Sequence, residues 1–531
     1  MTIHKPDPSP ADKTAHPIRK NRQQNVAELQ VDRMTGDYQP RLLKRIMPVP
    51  EEGMWQPPAR NRESYNAMTE NGFIATGNDP LSTFSIDVDT ASYSNIRRFI
   101  NQGALPPVGA VRIEEMINYF SYSYPQPTGK HPVSITSELG PCPWKKGHKL
   151  VRIGLKAQNI PKITLPPSNL VFLIDVSGSM AAPNKLPLLK QAMKMLVRQL
   201  DKDDRISMVV YAGMDSIALE PTAGSDRKKI MAAIDHLGAG GSTHASSGII
   251  TAYKLAKQVY MPGGNNRIIL ASDGDFNVGI TSRGELQRLI EEKRKSGIYL
   301  TVLGFGRGNY HDDTMEVLAD KGNGNYAYID NLLEARKVMV KEMSGTMFTL
   351  ARDVKLQIEF NPAKVAAYRL IGYENRALAD EDFNNDGKDA GEIGVGHTVT
   401  ALYELIPAGS TDVPSVDPLK YQKIAGTTQA EYQDEIMTIK LRYKPLKSDT
   451  SLLLSKPIKD KTTSLAQTSD DFRFTAAVAA FGMILEHSQF QGDFNFEKIL
   501  TLAKKARGTD EEGYRAEFIK LVQTCQLLAK Q

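Results

Sequence analysis

Between residues 169 and 347 the apolar positions alternate between unbroken runs and helical spacing. Runs at 169–175, 204–212, 267–273, 298–305 and 325–329 have the length of strands, and the first is continuous enough to be buried on both faces. Between and after them, apolar residues recur three and four apart over 185–200, 227–237, 246–260, 283–295, 312–321 and 332–347, which predicts six helices. Strands alternating with helices of this length imply a mostly parallel sheet covered on both faces, a doubly wound α/β domain over 166–350.

On either side the period falls to two. Stretches 133–139 and 149–156 before this domain, and 354–360, 365–373, 398–405 and 436–443 after it, alternate apolar with polar residues. Each such strand has one apolar face to cover, so the two flanks are expected to form one β-sandwich with the α/β domain inserted between them. A strand from Pro80 leads into a helix ending near Ile100, with Asp89 or Thr90 at the helix N-cap position, and a second helix spans 112–120. Ala-rich helical patterns at 470–486, 496–506 and 511–529 predict a small bundle docked on the sandwich. The organisation read from these patterns is a flexible, polar, proline-rich tether (1–79), an N-terminal region of helices and strands (80–165), the α/β domain (166–350), a β-rich domain (351–450) and a C-terminal helical region (451–531).

At 531 residues and 41% hydrophobic content the chain exceeds what one core serves, which agrees with several globular units. The net charge of +5 is small for this size, and no basic stripe with interleaved aromatics is present, so nucleic acid is excluded as the expected partner. The longest apolar stretch, 472–485, contains Arg473 and is too short for a transmembrane helix. Met1 is followed by polar, proline-rich sequence without an apolar signal core or a lipobox cysteine, which reads as a soluble chain or as a form lacking its targeting segment. Cys142 and Cys525 are far apart, have no metal-binding spacing and read as two ordinary thiols.

The candidate chemistry sits at strand ends. Asp175, Ser177 and Ser179 follow the first buried run, and Gly178 allows a sharp turn that lets their oxygens converge. Thr243 lies in a glycine-rich loop before a helix, and Asp273 ends another apolar strand. Carboxylate and hydroxyl oxygens without Cys or His suit a hard divalent cation, Mg2+ or a similar ion such as Mn2+. Two other stretches imitate ligand sites. Asp382-Phe-Asn384-Asn-Asp386-Gly387 begins like a calcium loop, but its twelfth residue is Ile393 and Glu392 comes one place early, so a polar hairpin loop is expected. Gly304-Phe-Gly306 follows a strand as in a dinucleotide fingerprint, but Asn309 replaces the third glycine, so a tight turn is expected. Asp87, Asp89 and Ser92 resemble a third cation loop less well than they do a helix start.

Asp175-x-Ser177-x-Ser179, Thr243 and Asp273, in that order, resemble the metal-ion-dependent adhesion site of the von Willebrand factor type A (VWA) family. The segments 81–93, 175–180, 273–279, 320–330 and 382–386 look like those of bacterial YfbK-type VWA proteins, over about residues 80–530. The resemblance implies a Rossmann-like VWA domain in which Ser177, Ser179 and Thr243 bind the cation directly and Asp175 and Asp273 bind it directly or through water. It further implies an open coordination position for an Asp or Glu of a protein partner, and a setting in the cell envelope, since many members are exported lipoproteins. The expected function is therefore metal-dependent protein binding of the adhesion type. Two alternatives are a scaffold with a structural cation and a metal-assisted hydrolase with Asp275 or His244 as base; no nucleophile elbow or phosphate loop supports the hydrolase. His244, beside Thr243, reads as an exposed loop residue rather than a base.

Overall fold

An unbroken apolar run makes Ser168–Asp175 a strand buried along its whole length, and it takes a central place in a six-stranded sheet. The computed structural model describes residues 63–530 apart from 67, 213, 241–244, 275–282, 309, 343–344, 346, 414–431 and 462. Across the sheet the order is Tyr326–Ile329, Tyr299–Phe305, Asn265–Ser272, Ser168–Asp175, Arg205–Ala212 and Met214–Ala223. The first five are parallel and the last is antiparallel. Leu186–Val197, Arg227–His236 and Leu332–Arg336 cover one face, and Ala245–Gln258, Arg283–Arg294 and Asp312–Lys321 the other. This is the doubly wound domain that the periodicity predicts. The last helix is shorter than expected: after Arg336 the chain widens into a π-helical turn over Lys337–Lys341.

Strands from both flanks form two antiparallel sheets. One runs Ile74–Ala75, Val365–Ile371, Thr398–Pro407, Lys149–Ala157, Val133–Pro141. The other joins Gly391–Gly394, Thr349–Phe360, Glu435–Pro445 and Leu452–Lys459, with Leu81–Ser85 sharing an edge of Thr349–Phe360 with Gly391–Gly394. Their inner faces meet in one core that includes Phe84, Ile153, Leu155, Leu356, Ile358, Tyr403 and Ile439. The inserted domain is fastened at both ends to one short segment: Gly396 N donates to Gln158 O (3.0 Å) and Val395 N to Phe348 O (2.9 Å).

Several expected boundaries move. Ile74–Ala75 pairs with Val365–Ile371, so part of the expected tether is strand; residues 1–62 lie outside the described residues. The 80–165 region does not form a unit of its own, because its strands enter the sandwich while Ala91–Asn101 and Ile113–Asn118 join Asp470–Leu485, Phe496–Lys505 and Tyr514–Leu528 in a separate helical core. Leu452–Lys459, placed with the C-terminal helices by the sequence, is a sandwich strand. Thr90 does take the N-cap position of Ala91–Asn101, but no side chain caps there; Glu115 Oε2 accepts from Ser92 N instead (2.8 Å). Asp87 and Asp89 face Arg376, and Asp89 Oδ1 accepts from Tyr326 N.

Buried polar knots tie the units together. Arg97 bonds Asp330 and Glu334 of the α/β domain and Glu517 of the last helix. Glu404 accepts from Trp144 Nε1 (3.0 Å) and Arg369 Nη2 (3.0 Å) and is hydrogen-bonded to His148 Nδ1 (2.6 Å). Burial opposes ionisation of Glu404, but the bonds from His148, Arg369 and Trp144 hold its carboxyl below the usual range. Nearby, burial first, and then the charges of Glu374 and Glu70, push Glu486 up to about 8. The folded state thus binds a proton there that the unfolded chain has lost above its ordinary value near 4.5. The Glu486 contribution to stability is expected to be complete below that value and to fade as pH rises through about 8. Glu486→Gln should flatten this part of the thermal midpoint-versus-pH curve and raise the midpoint above pH 8; an unchanged curve would remove Glu486 from the account.

Candidate metal centre

Asp175 ends its strand between two parallel neighbours, paired with Arg205–Ala212 on one side and Asn265–Ser272 on the other. This is the carboxyl edge of an open parallel sheet, where ligands bind in such folds. Beyond it the chain leaves extended geometry for a single turn of 3-10 helix, Gly178–Ala181, anchored by the fully buried Met180. Ser177 N donates to Asp175 Oδ1 (2.9 Å), and the hydroxyls of Ser177 and Ser179 lie 3.0 Å apart. Asp175 and Ser177 are buried, whereas Ser179 is exposed, so the cluster opens to solvent on the Ser179 side.

Asp273 follows the neighbouring strand and is buried. Ser272 Oγ donates to Asp175 Oδ2 (3.1 Å) and accepts from Gly274 N (3.1 Å), which links the two acidic ends. Gly274 has φ +91, and a Cβ there would lie 2.5 Å from His311 N, so the turn after Asp273 is pressed against the loop before helix Asp312–Lys321. Of the expected ligands, the structure brings Asp175, Ser177 and Ser179 onto one turn, with Asp273 at the adjacent strand end. Thr243 lies outside the described residues, as do the two candidate bases His244 and Asp275. The flanks of the Thr243 loop are described: Gly240 N donates to Val176 O (2.7 Å), and helix Ala245–Gln258 begins just after it.

Burial, with the Asp273 charge adding to it, pushes the Asp175 carboxyl up to about 6, although bonds from Ser177 and Ser272 favour its ionised form. The hydrogen bonds to Asp175 come from neutral groups, Ser177 N and Ser272 Oγ. A desolvated carboxylate held by neutral donors beside open hydroxyls fits a hard cation. Among the described residues no three His, Cys, Asp or Glu side chains gather as a metal cluster, so any cation here depends on the serine hydroxyls.

Two participants were given no role from sequence. Ser272 reads as strand, yet it bridges Asp175 to the Asp273 turn. Lys185 reads as the first residue of a helix, yet it is buried and its Nζ donates to Asp273 Oδ2 (2.8 Å). Its stem lies against Gly306, which has φ +83 and where a Cβ would come within 2.2 Å of Lys185 Cε. The Gly304-Phe-Gly306 turn is thereby accounted for: Gly306 makes room for Lys185, and Gly304 for the Tyr310 ring. The calcium-loop mimic is filled by ammonium groups, with Lys355 Nζ donating to the carbonyls of Asp382 (3.0 Å) and Asn385 (2.6 Å) and Lys388 paired with Asp382. Cys142 and Cys525 are buried free thiols.

Three family models match the chain: "von Willebrand factor" over residues 59–152, "von Willebrand factor type A domain" over 169–341, and "Uncharacterized protein YfbK, C-terminal" over 345–528. The chain is 43% identical over 466 residues to "Uncharacterized protein YfbK" of Escherichia coli, covering 86% of this chain and 80% of that protein. It is 28% identical over 284 residues to human "Inter-alpha-trypsin inhibitor heavy chain H2", covering 51% of this chain but only 27% of that protein. Among solved structures, "von Willebrand factor type A from Catenulispora acidiphila" aligns with a TM-score of 0.39 at 14% identity, covering 73% of this chain and 89% of that one.

Proposed function

The chain belongs to the YfbK-type family of VWA proteins, and from that premise we propose that it is a metal-dependent protein-binding module whose Mg2+ is held by Asp175, Ser177, Ser179, Thr243 and Asp273. A VWA domain is a module of protein interaction or adhesion; the finer reading rests on the convergence of Asp175, Ser177 and Ser179 on one turn, opened to solvent by Ser179 beside the Asp273 strand end. A bound Mg2+ supplies a hard, electrophilic centre able to accept an Asp or Glu carboxylate of a partner.

The protein's own residues do the rest. Ser177 and Ser179 offer neutral oxygens, which leave more charge for an incoming ligand than carboxylates would. Asp175 is fixed by Ser177 N and Ser272 Oγ, so its geometry is set before any ligand arrives. No catalytic step is part of this reading, and the proposed setting is the cell envelope, as the family resemblance implies. No helix among the described residues is long and apolar enough to cross a membrane.

The test is Mg2+ titration by calorimetry, followed by capture of cell-envelope proteins in Mg2+ and in EDTA. Saturable Mg2+ binding with capture that EDTA abolishes is the expected result. Metal binding with no Mg2+-dependent capture would turn the reading towards a structural cation, and absence of metal binding would end it.

A further inference from the structure

We propose that Lys185 is a built-in counter-charge of this centre, a positioning residue that holds Asp273 and limits how tightly the cation binds. The inference rests on the metal reading above and goes beyond it by naming a residue outside the expected ligand set.

Three observations carry it. The Lys185 side chain is 9% exposed and its Nζ sits 2.8 Å from Asp273 Oδ2, itself on a residue 1% exposed, so the pair is formed out of water. Burying an ammonium is unfavourable unless it is paired, so the arrangement holds only while Asp273 stays in place. The path of the stem is also specific: Gly306, in the left-handed region, leaves the space that Lys185 fills, and any Cβ there would displace it. Asp175, by contrast, is bonded to neutral donors. Among the described residues the centre therefore brings together two carboxylates and one ammonium.

The arrangement has a chemical consequence. Lys185 repels an arriving cation and partly spends the charge of Asp273, so a divalent ion is held less tightly than two carboxylates alone would hold it. The ion in turn keeps more of its own charge for a partner's carboxylate. Lys185 also keeps Asp273 turned to one side before any ion arrives, which presents a fixed ligand geometry.

The experiment compares the full chain with Lys185→Met and Lys185→Gln, which remove the charge, and with Lys185→Arg, which keeps it. Mg2+ affinity is measured by calorimetry, and thermal midpoints are recorded in EDTA and in Mg2+. Both neutral variants are expected to bind Mg2+ roughly tenfold tighter or more, to melt lower in EDTA, and to gain more from Mg2+ than the wild type. Lys185→Arg, which keeps the charge, is expected to lie closer to wild type in Mg2+ affinity than either neutral variant. Unchanged or weaker Mg2+ binding in both neutral variants, with a wild type that binds, would overturn the role of Lys185 and leave the metal reading intact. A wild type that binds no Mg2+ would overturn both. If one neutral variant fails to fold, the other decides.

Discussion

Glu404→Ala is expected to destabilise the protein by about 3–5 kcal/mol, the range for removing one partner of a buried ion pair. Glu404 and Arg369 are 2% and 1% exposed, and Trp144 Nε1 and His148 Nδ1 complete the set around the carboxylate. Truncation leaves Arg369 Nη2, an indole N–H and an imidazole nitrogen without this acceptor, while Arg369 Nη1 keeps its pair with Glu70 (3.0 Å). The loss comes chiefly from these stranded groups rather than from the contacts themselves. Trp144 lies inside the knot, so its fluorescence during urea unfolding, isolated by Trp55→Phe, reports the affected unit. Glu404→Gln, which keeps the shape and part of the bonding, should lose less than the alanine variant. A loss below about 1 kcal/mol for Glu404→Ala would show that water replaces the carboxylate at little cost.

Asp175→Ala should weaken Mg2+ binding by about 100-fold or more, since even residues that only orient a ligand commonly matter 10–100-fold. The fold, however, should not suffer. Burial already disfavours the charged form of Asp175, and removing that desolvated carboxylate offsets the cost of leaving the buried donors Ser177 N and Ser272 Oγ without this acceptor. Without metal the variant is expected to melt near the wild-type temperature, while the Mg2+-induced rise in melting temperature disappears. A collapse of stability in EDTA would mean that Asp175 holds the turn together, and any loss of partner capture would then say little about the cation.

Much of the architecture was legible because two periods differ so clearly. Helix Asp312–Lys321 falls where its apolar spacing places it, and Ser168–Asp175 carries the unbroken apolar run 170–174 because it is covered on both faces. The sandwich built from both flanks was legible because half-buried strands need a second sheet. Partnership was harder to read. Nothing in residues 80–165 says that the strands go to one body and the helices to another, because pattern reports which face is apolar and not what covers it. Ile74–Ala75 is too short for any period, and Met214–Ala223 contains Pro221 and lies at a sheet edge with exposed Ser216, Ile217 and Ala218, so it escaped notice. At the candidate centre the positions of Asp175, Ser177, Ser179 and Asp273 at a turn and two strand ends could be read because such ends leave marks in sequence, whereas Thr243 lies outside the described residues. Lys185 could not, since a lysine that opens a helix reads the same whether it points into water or onto a carboxylate across the sheet edge.

The fastening of Gln158 and Phe348 to adjacent residues, Gly396 and Val395, bears on the order in which the protein is made. During synthesis the early sandwich strands emerge well before Thr349–Phe360, their later partner, and stay incomplete while the VWA domain is translated. Once that domain folds, it draws its two ends together and converts a long, entropically unfavourable closure into a short one. An inserted domain that folds before its flanks would act as a splint, handing the sandwich two strand ends already brought within reach of each other.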